Sequence, residues 1–190
     1  MEDLRSRYRR KFREATQRKL LIVNNLKSAP CSDCLNSFPP YCMDWDHIDP
    51  STKLRSVGEM VSRYGLPRVM IEISKCDLVC RVCHRMRTSH RSPSLDLNTV
   101  PRPVRERLVF IRGLKASSCL DCCLQFSPEA MDFDHVRGEK VDNTARLKLG
   151  ASMIRLIEEV AKCELVCANC HAVRTHTRDH HRLRLSALSV

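Results

Sequence analysis

Apolar and polar positions change their period several times along this chain of 190 residues. Leu4, Tyr8, Phe12 and Ala15 recur at spacings of three and four. That spacing predicts a helix over residues 1–27 whose apolar stripe docks on the rest of the fold. The opposite face carries Arg5, Arg7, Arg9, Arg10, Lys11, Arg13, Arg18 and Lys19. Further on, Tyr41, Met43 and Trp45 alternate with Cys42, Asp44 and Asp46, and Met131 and Phe133 alternate with Asp132 and Asp134. A period of two predicts strands with one apolar face, ending at His47 and His135. Helical spacing returns over 66–75 and 151–162, where Met153, Leu156, Ile157 and Val160 form the second stripe. No breaker follows Cys83 or Cys170 for several residues, so His84 and His171 begin or lie on helices.

These patterns occur twice, about 88 residues apart. Residues 18–27 align with 106–115, so an apolar helix opens each copy. The offset falls to 87 where the segment from His47 to Lys53 is one residue longer than that from His135 to Lys140. Residues 1–91 read as a basic helix plus the first small domain, and 105–180 as the second. Between them, 92–104 is a stiff linker with Pro93, Pro101 and Pro103, and 181–190 is a basic tail. A unit of this size buries little apolar surface, and aromatic residues are only 5% of the chain. Such units need a disulfide or metal staple.

The chain holds 12 cysteines. Eight fall in Cys-x-x-Cys pairs: Cys31 and Cys34 with Cys80 and Cys83, then Cys119 and Cys122 with Cys167 and Cys170. Each short pair directs two sulfurs at one centre, and two pairs complete a tetrahedron with no open position. This predicts two structural Zn²⁺ sites. Cys42 and Cys123 face Ala130 and Leu35 across the copies, so the pattern requires neither. Cys76 and Cys163 do correspond. They read as small buried residues, with zinc ligation as the alternative.

The formal charge is +11, from 33 Lys and Arg against 22 Asp and Glu. Two zinc–tetrathiolate sites would bring it to about +7, still basic and suited to a polyanion. No run of 18 apolar residues occurs, so no membrane partner is expected. No apolar segment follows the basic start, so the chain is expected to be cytoplasmic or nucleoid-associated rather than secreted.

Asp46, His47 and His84 recur as Asp134, His135 and His171. Carboxylate oxygen and imidazole nitrogen suit a hydrated divalent cation, and an adjacent histidine can take a proton from water. Isolated histidines are more often surface or hydrogen-bonded residues. Three polar groups repeated beside the knuckles weigh against that reading.

With these motifs, each copy resembles an HNH endonuclease domain of the His-Me finger (ββα-metal) class. The resemblance rests on Cys-x-x-Cys, then residues 44–53 (DWDHIDPSTK) or 132–140 (DFDHVRGEK), then 76–84 (CDLVCRVCH) or 163–171 (CELVCANCH). It spans about three-quarters of the chain. It implies a small zinc-stapled α+β protein of two tandem ββα-metal units, each preceded by a helix. By the same resemblance, His47 and His135 are general bases. Asp46, His84, Asp134 and His171 hold up to two catalytic Mg²⁺ or Mn²⁺ ions. Arg87, Arg91, Arg174 and Arg178 face phosphate. The family's middle asparagine has no clear counterpart in either copy.

Two functional expectations follow. One is metal-dependent hydrolysis of DNA by a monomeric chain acting as an internal pseudo-dimer. The other is a non-catalytic zinc protein that binds nucleic acid in a nucleoprotein assembly, consistent with the basic helix and tail.

Overall fold

Short strands of alternating polarity cannot stand alone in water, and each copy pairs its strand with the segment leading into its second knuckle. The computed structural model describes residues 3–92, 95–139, 141–142 and 144–188. Lys140 of the second motif, part of the linker and the end of the tail lie outside them. The fold is α+β, and the chain divides into two compact units, residues 1–80 and 81–190. This division falls ahead of the 92–104 linker.

In the first unit, α1 (Leu4–Asn25) starts at Asp3, whose side chain accepts a hydrogen bond from the Arg5 N–H. β1 (Met43–His47) pairs antiparallel with β2 (Cys76–Cys80), so that Met43 faces Cys80 and His47 faces Cys76. Two helices fill the connection. α2 (Val57–Arg63) is capped by Ser56, which accepts from the Glu59 N–H. α3 (Leu66–Ile73) carries Pro67 in its first turn, where no intrahelical donor is lost. The core is Val23, Val57, Met60, Val61, Val69 and Ile73, with Trp45, Tyr64 and Cys76 packed against it.

The expected docking of the α1 stripe does not occur. Leu4 is 86% exposed and Tyr8 72%, and Phe12 also faces solvent. A helix of 22 residues spans about 33 Å, longer than a core this small can cover. Its C-terminal part is anchored by buried Val23 and by Lys19 Nζ donating to the Tyr64 carbonyl at 2.9 Å.

The second unit contains α4 (Arg81–Arg91), α5 (Arg102–Leu114), β3 (Met131–His135), α6 (Thr144–Gly150), α7 (Met153–Val160), β4 (Cys163–Cys167) and α8 (Ala168–Leu188). β3 pairs antiparallel with β4, in the register that sets Met131 opposite Cys167 and His135 opposite Cys163. Ile111, Leu147 and Leu156 form the core, with Phe110, Phe133, Ala151, Met153 and Val160 against it. α4 packs on α8 and on the turn 128–130. Along α7 the expected stripe is revised: Ile157 is 46% exposed, whereas Glu159 is buried. Among the described residues, no helix is long and apolar enough to cross a membrane.

Candidate metal centres and an adjoining acid–imidazole site

The knuckles are built by backbone hydrogen bonds in the same way in both copies. Cys31 N–H donates to the Asn36 carbonyl and Leu35 N–H to the Cys31 carbonyl; Cys119 N–H donates to Leu124 and Cys123 N–H to Cys119, each at 2.9 Å. The turn forces Leu35 and Cys123 to φ 59°. Non-glycine residues adopt this left-handed conformation at a cost of roughly 1 kcal/mol. The same conformation recurs at equivalent positions of both knuckles, where the backbone hydrogen bonds of the turn hold it. Ser32 N–H donates to the Leu78 carbonyl and Leu120 N–H to that of Leu165, which ties each knuckle to its strand.

Cys31, Cys34, Cys80 and Cys83 form one cluster, and Cys119, Cys122, Cys167 and Cys170 the other. Within each, the sulfurs lie within 4.8 Å of one another. Tetrahedral zinc with bonds of about 2.3 Å sets sulfurs about 3.8 Å apart, so little closure is needed. Burial works against a thiolate at Cys119, but the backbone N–H groups of Cys122, Cys167 and Asp121 bring its pKa down to about 7. Cys31 behaves alike, with burial overcome by N–H groups of Cys34, Cys80 and Asp33. Burial pushes Cys167 up to about 11, with the charge on Cys119 adding to it, and raises Cys170 further. Four thiols this close to one another ionise together only if a cation compensates them, so the donor set suits two structural zinc ions. Cys76 and Cys163 stand outside the clusters and donate through Sγ to the carbonyls of Glu72 and Glu159 at 3.3 Å.

Beside the second cluster, β3 and α8 bring the predicted acid Asp134 and one predicted imidazole, His171, together. Asp134 is 2% exposed, and His171 Nε2 lies 3.5 Å from its Oδ1. His171 Nδ1 lies 2.9 Å from Asp132 Oδ2. Arg85 of α4 donates to both oxygens of Asp132, at 2.6 and 2.7 Å. Burial opposes ionisation of Asp132, but His171 and Arg85 hold its carboxyl far below the usual range.

Arg174 and Arg178 meet carboxylates here. Arg178 donates to both oxygens of Asp134, at 2.8 and 2.5 Å. Arg174 reaches Asp134 at 3.1 Å, Glu164 at 2.8 Å and both oxygens of Asp121 at 2.8 and 2.5 Å. Burial raises the cost of charge on Asp134, yet Arg178 and Arg174 keep it ionised. Asp121 lies inside the Cys119–Cys122 knuckle, so Arg174 links the sulfur cluster to Asp134. In the first copy, β1 carries buried Asp46 and His47, and α4 carries His84, Arg87 and Arg91 at the corresponding positions.

One pair of residues escaped the sequence reading. Glu72 Oε1 lies 2.8 Å from His47 Nε2, and Glu159 Oε1 lies 2.8 Å from His135 Nε2. Both glutamates align at the 87-residue offset and interrupt an apolar helix stripe, and Lys75 and Lys162, just past the helix ends, align likewise. A charged residue at a stripe position in both copies was the available signal. These glutamates lie in the interval where the resemblance expects asparagine.

No protein-family model, curated protein or solved structure matches this chain.

Proposed function

We propose that the chain is a zinc-stapled nuclease of the HNH type that hydrolyses phosphodiester bonds in DNA, with ββα-metal units as its catalytic parts. The observation that carries this reading is the approach of Asp134 to His171 at 3.5 Å, with His135 next along the same strand. Two donors this close can take adjacent positions around one divalent ion. Asp134 and His171 would hold Mg²⁺ or Mn²⁺ in the second copy, and Asp46 and His84 in the first. Such an ion, when bound, supplies positive charge to a phosphoryl oxygen and the leaving oxygen.

The protein's own part is proton transfer and orientation. His135, like His47, takes a proton from water as the water oxygen bonds to phosphorus. The bond from phosphorus to the 3′-oxygen breaks, and that oxygen takes a proton from solvent. The products are a 5′-phosphate and a 3′-hydroxyl. The chain's charge of +11 favours the polyanion. Among the arginines, Arg178 is the freer to turn toward phosphate, because Arg174 is held by three carboxylates.

The same arginines motivate a second reading. They satisfy Asp134 without any metal ion, as expected of a scaffold that binds nucleic acid and does not cut it. Incubation of the zinc-loaded chain with supercoiled plasmid and Mg²⁺ or Mn²⁺ separates the two. Nicked circles lost on His47→Gln with His135→Gln support the nuclease. Salt-sensitive binding that leaves the plasmid supercoiled across a wide range of salt refutes it.

A further inference from the structure

We propose that Glu72 and Glu159 are positioning residues that fix the ring tautomer of His47 and His135, so that Nδ1 is the atom that takes up a proton. This rests on the nuclease reading for its consequence and on hydrogen-bond geometry for its premise. The contact from Nε2 to Oε1 is 2.8 Å in both copies. The glutamate side chains are only 2% and 3% exposed.

Besides the ring, each carboxylate is clamped by the same two kinds of donor. Lys75 Nζ and Lys162 Nζ reach Oε2 at 2.8 Å. Backbone N–H groups of the loop after the strand reach Oε1, from Leu54 at 2.7 Å and from Val141 at 3.1 Å. Burial opposes the charge on Glu72, but Lys75, His47 and the Leu54 N–H hold its pKa down at about 2. Lys162 is the first cause at Glu159, which also sits at about 2. An ionised carboxylate only accepts hydrogen bonds. The proton between Oε1 and Nε2 therefore belongs to the ring, and a neutral ring keeps its lone pair on Nδ1.

Stability alone gives no reason for this arrangement. An apolar side chain in the α3 or α7 stripe would fill the same volume without desolvating a charge. The glutamate does two things that an apolar residue cannot. It orients the imidazole, and through Leu54 or Val141 it braces the loop that follows the Asp-His pair. Carboxylates that orient an imidazole through its remote nitrogen commonly change activity about 10- to 100-fold when removed.

The test uses the full, zinc-loaded chain. Long-range ¹H–¹⁵N correlations, followed with pH until the rings are neutral, should show protonated Nε2 and unprotonated Nδ1 for both histidines, assigned with His47→Gln and His135→Gln. A proton on Nδ1 of either ring would overturn the proposal. In a His47→Gln background, nicking reports the second copy alone. There Glu159→Leu should lower kcat about 10- to 100-fold with KM unchanged. Glu159→Gln, whose amide oxygen can accept the same proton, should restore most of the rate. Equal losses in both variants, or a loss confined to KM, would also overturn it. If the unsubstituted chain cuts no DNA, the nuclease reading fails and the ring spectra alone decide this inference.

Discussion

Replacing Cys167 by serine removes one sulfur from the second cluster, and the structure indicates how much should be lost. Cys167 is 2% exposed and Cys119 1%, so half of the centre's sulfurs are shut off from solvent, while Cys122 is exposed. Without metal, the knuckle is tied to β4 by the bond from Leu120 N–H to the Leu165 carbonyl, by Cys167 N–H on Cys119 Sγ at 3.2 Å, and by Arg174 bridging Asp121 and Glu164. The first two are worth about 1 kcal/mol each, and the charged bridge adds about 1–3 kcal/mol. A structural zinc in a small domain contributes on the order of 10–16 kcal/mol, comparable to or larger than the 5–15 kcal/mol net stability of a typical domain. The metal therefore outweighs every other tie at this site. Serine is a poor zinc ligand at neutral pH, so the variant should hold one zinc per chain where the parent holds two. Amides of β3 and β4 should lose their protection against hydrogen exchange, while those of β1 and β2 keep it. Metal analysis with exchange mass spectrometry reads both. A variant with one zinc and fully protected β3 and β4 would refute the claim that metal holds the second unit together, as would a parent chain free of zinc.

Two further outcomes can be measured on the same protein. Leu156 is fully buried between α5, α6 and α7, so Leu156→Ala should destabilise the second unit by about 2–5 kcal/mol, read by urea unfolding of the zinc-loaded chain. A double-mutant cycle of Arg85→Ala and Asp132→Ala should give a coupling of about 1–3 kcal/mol, because the pair is bidentate and Asp132 is largely buried. Additive effects would show that α4 is held by other contacts.

The duplication, the two groups of four cysteines, the strand ending in Asp-His and the helix bearing the last histidine were all legible in the amino-acid order. Each rests on short-range rules: knuckle spacing, a period of two, and helix continuation after a ligand. What lies across the fold was not legible. Periodicity put Ile157 inside and left Glu159 unremarked, but packing exposes Ile157 and buries Glu159 against His135. A stripe in α1 implied docking, but the core it would cover is too small to reach Leu4 and Tyr8. The resemblance had Arg174 and Arg178 facing phosphate, whereas α8 sets them against Asp134. Local sequence sets which residues share a face. Only the closed chain, where burial makes each charge find a partner, decides which face meets which, and with it which proton each imidazole keeps.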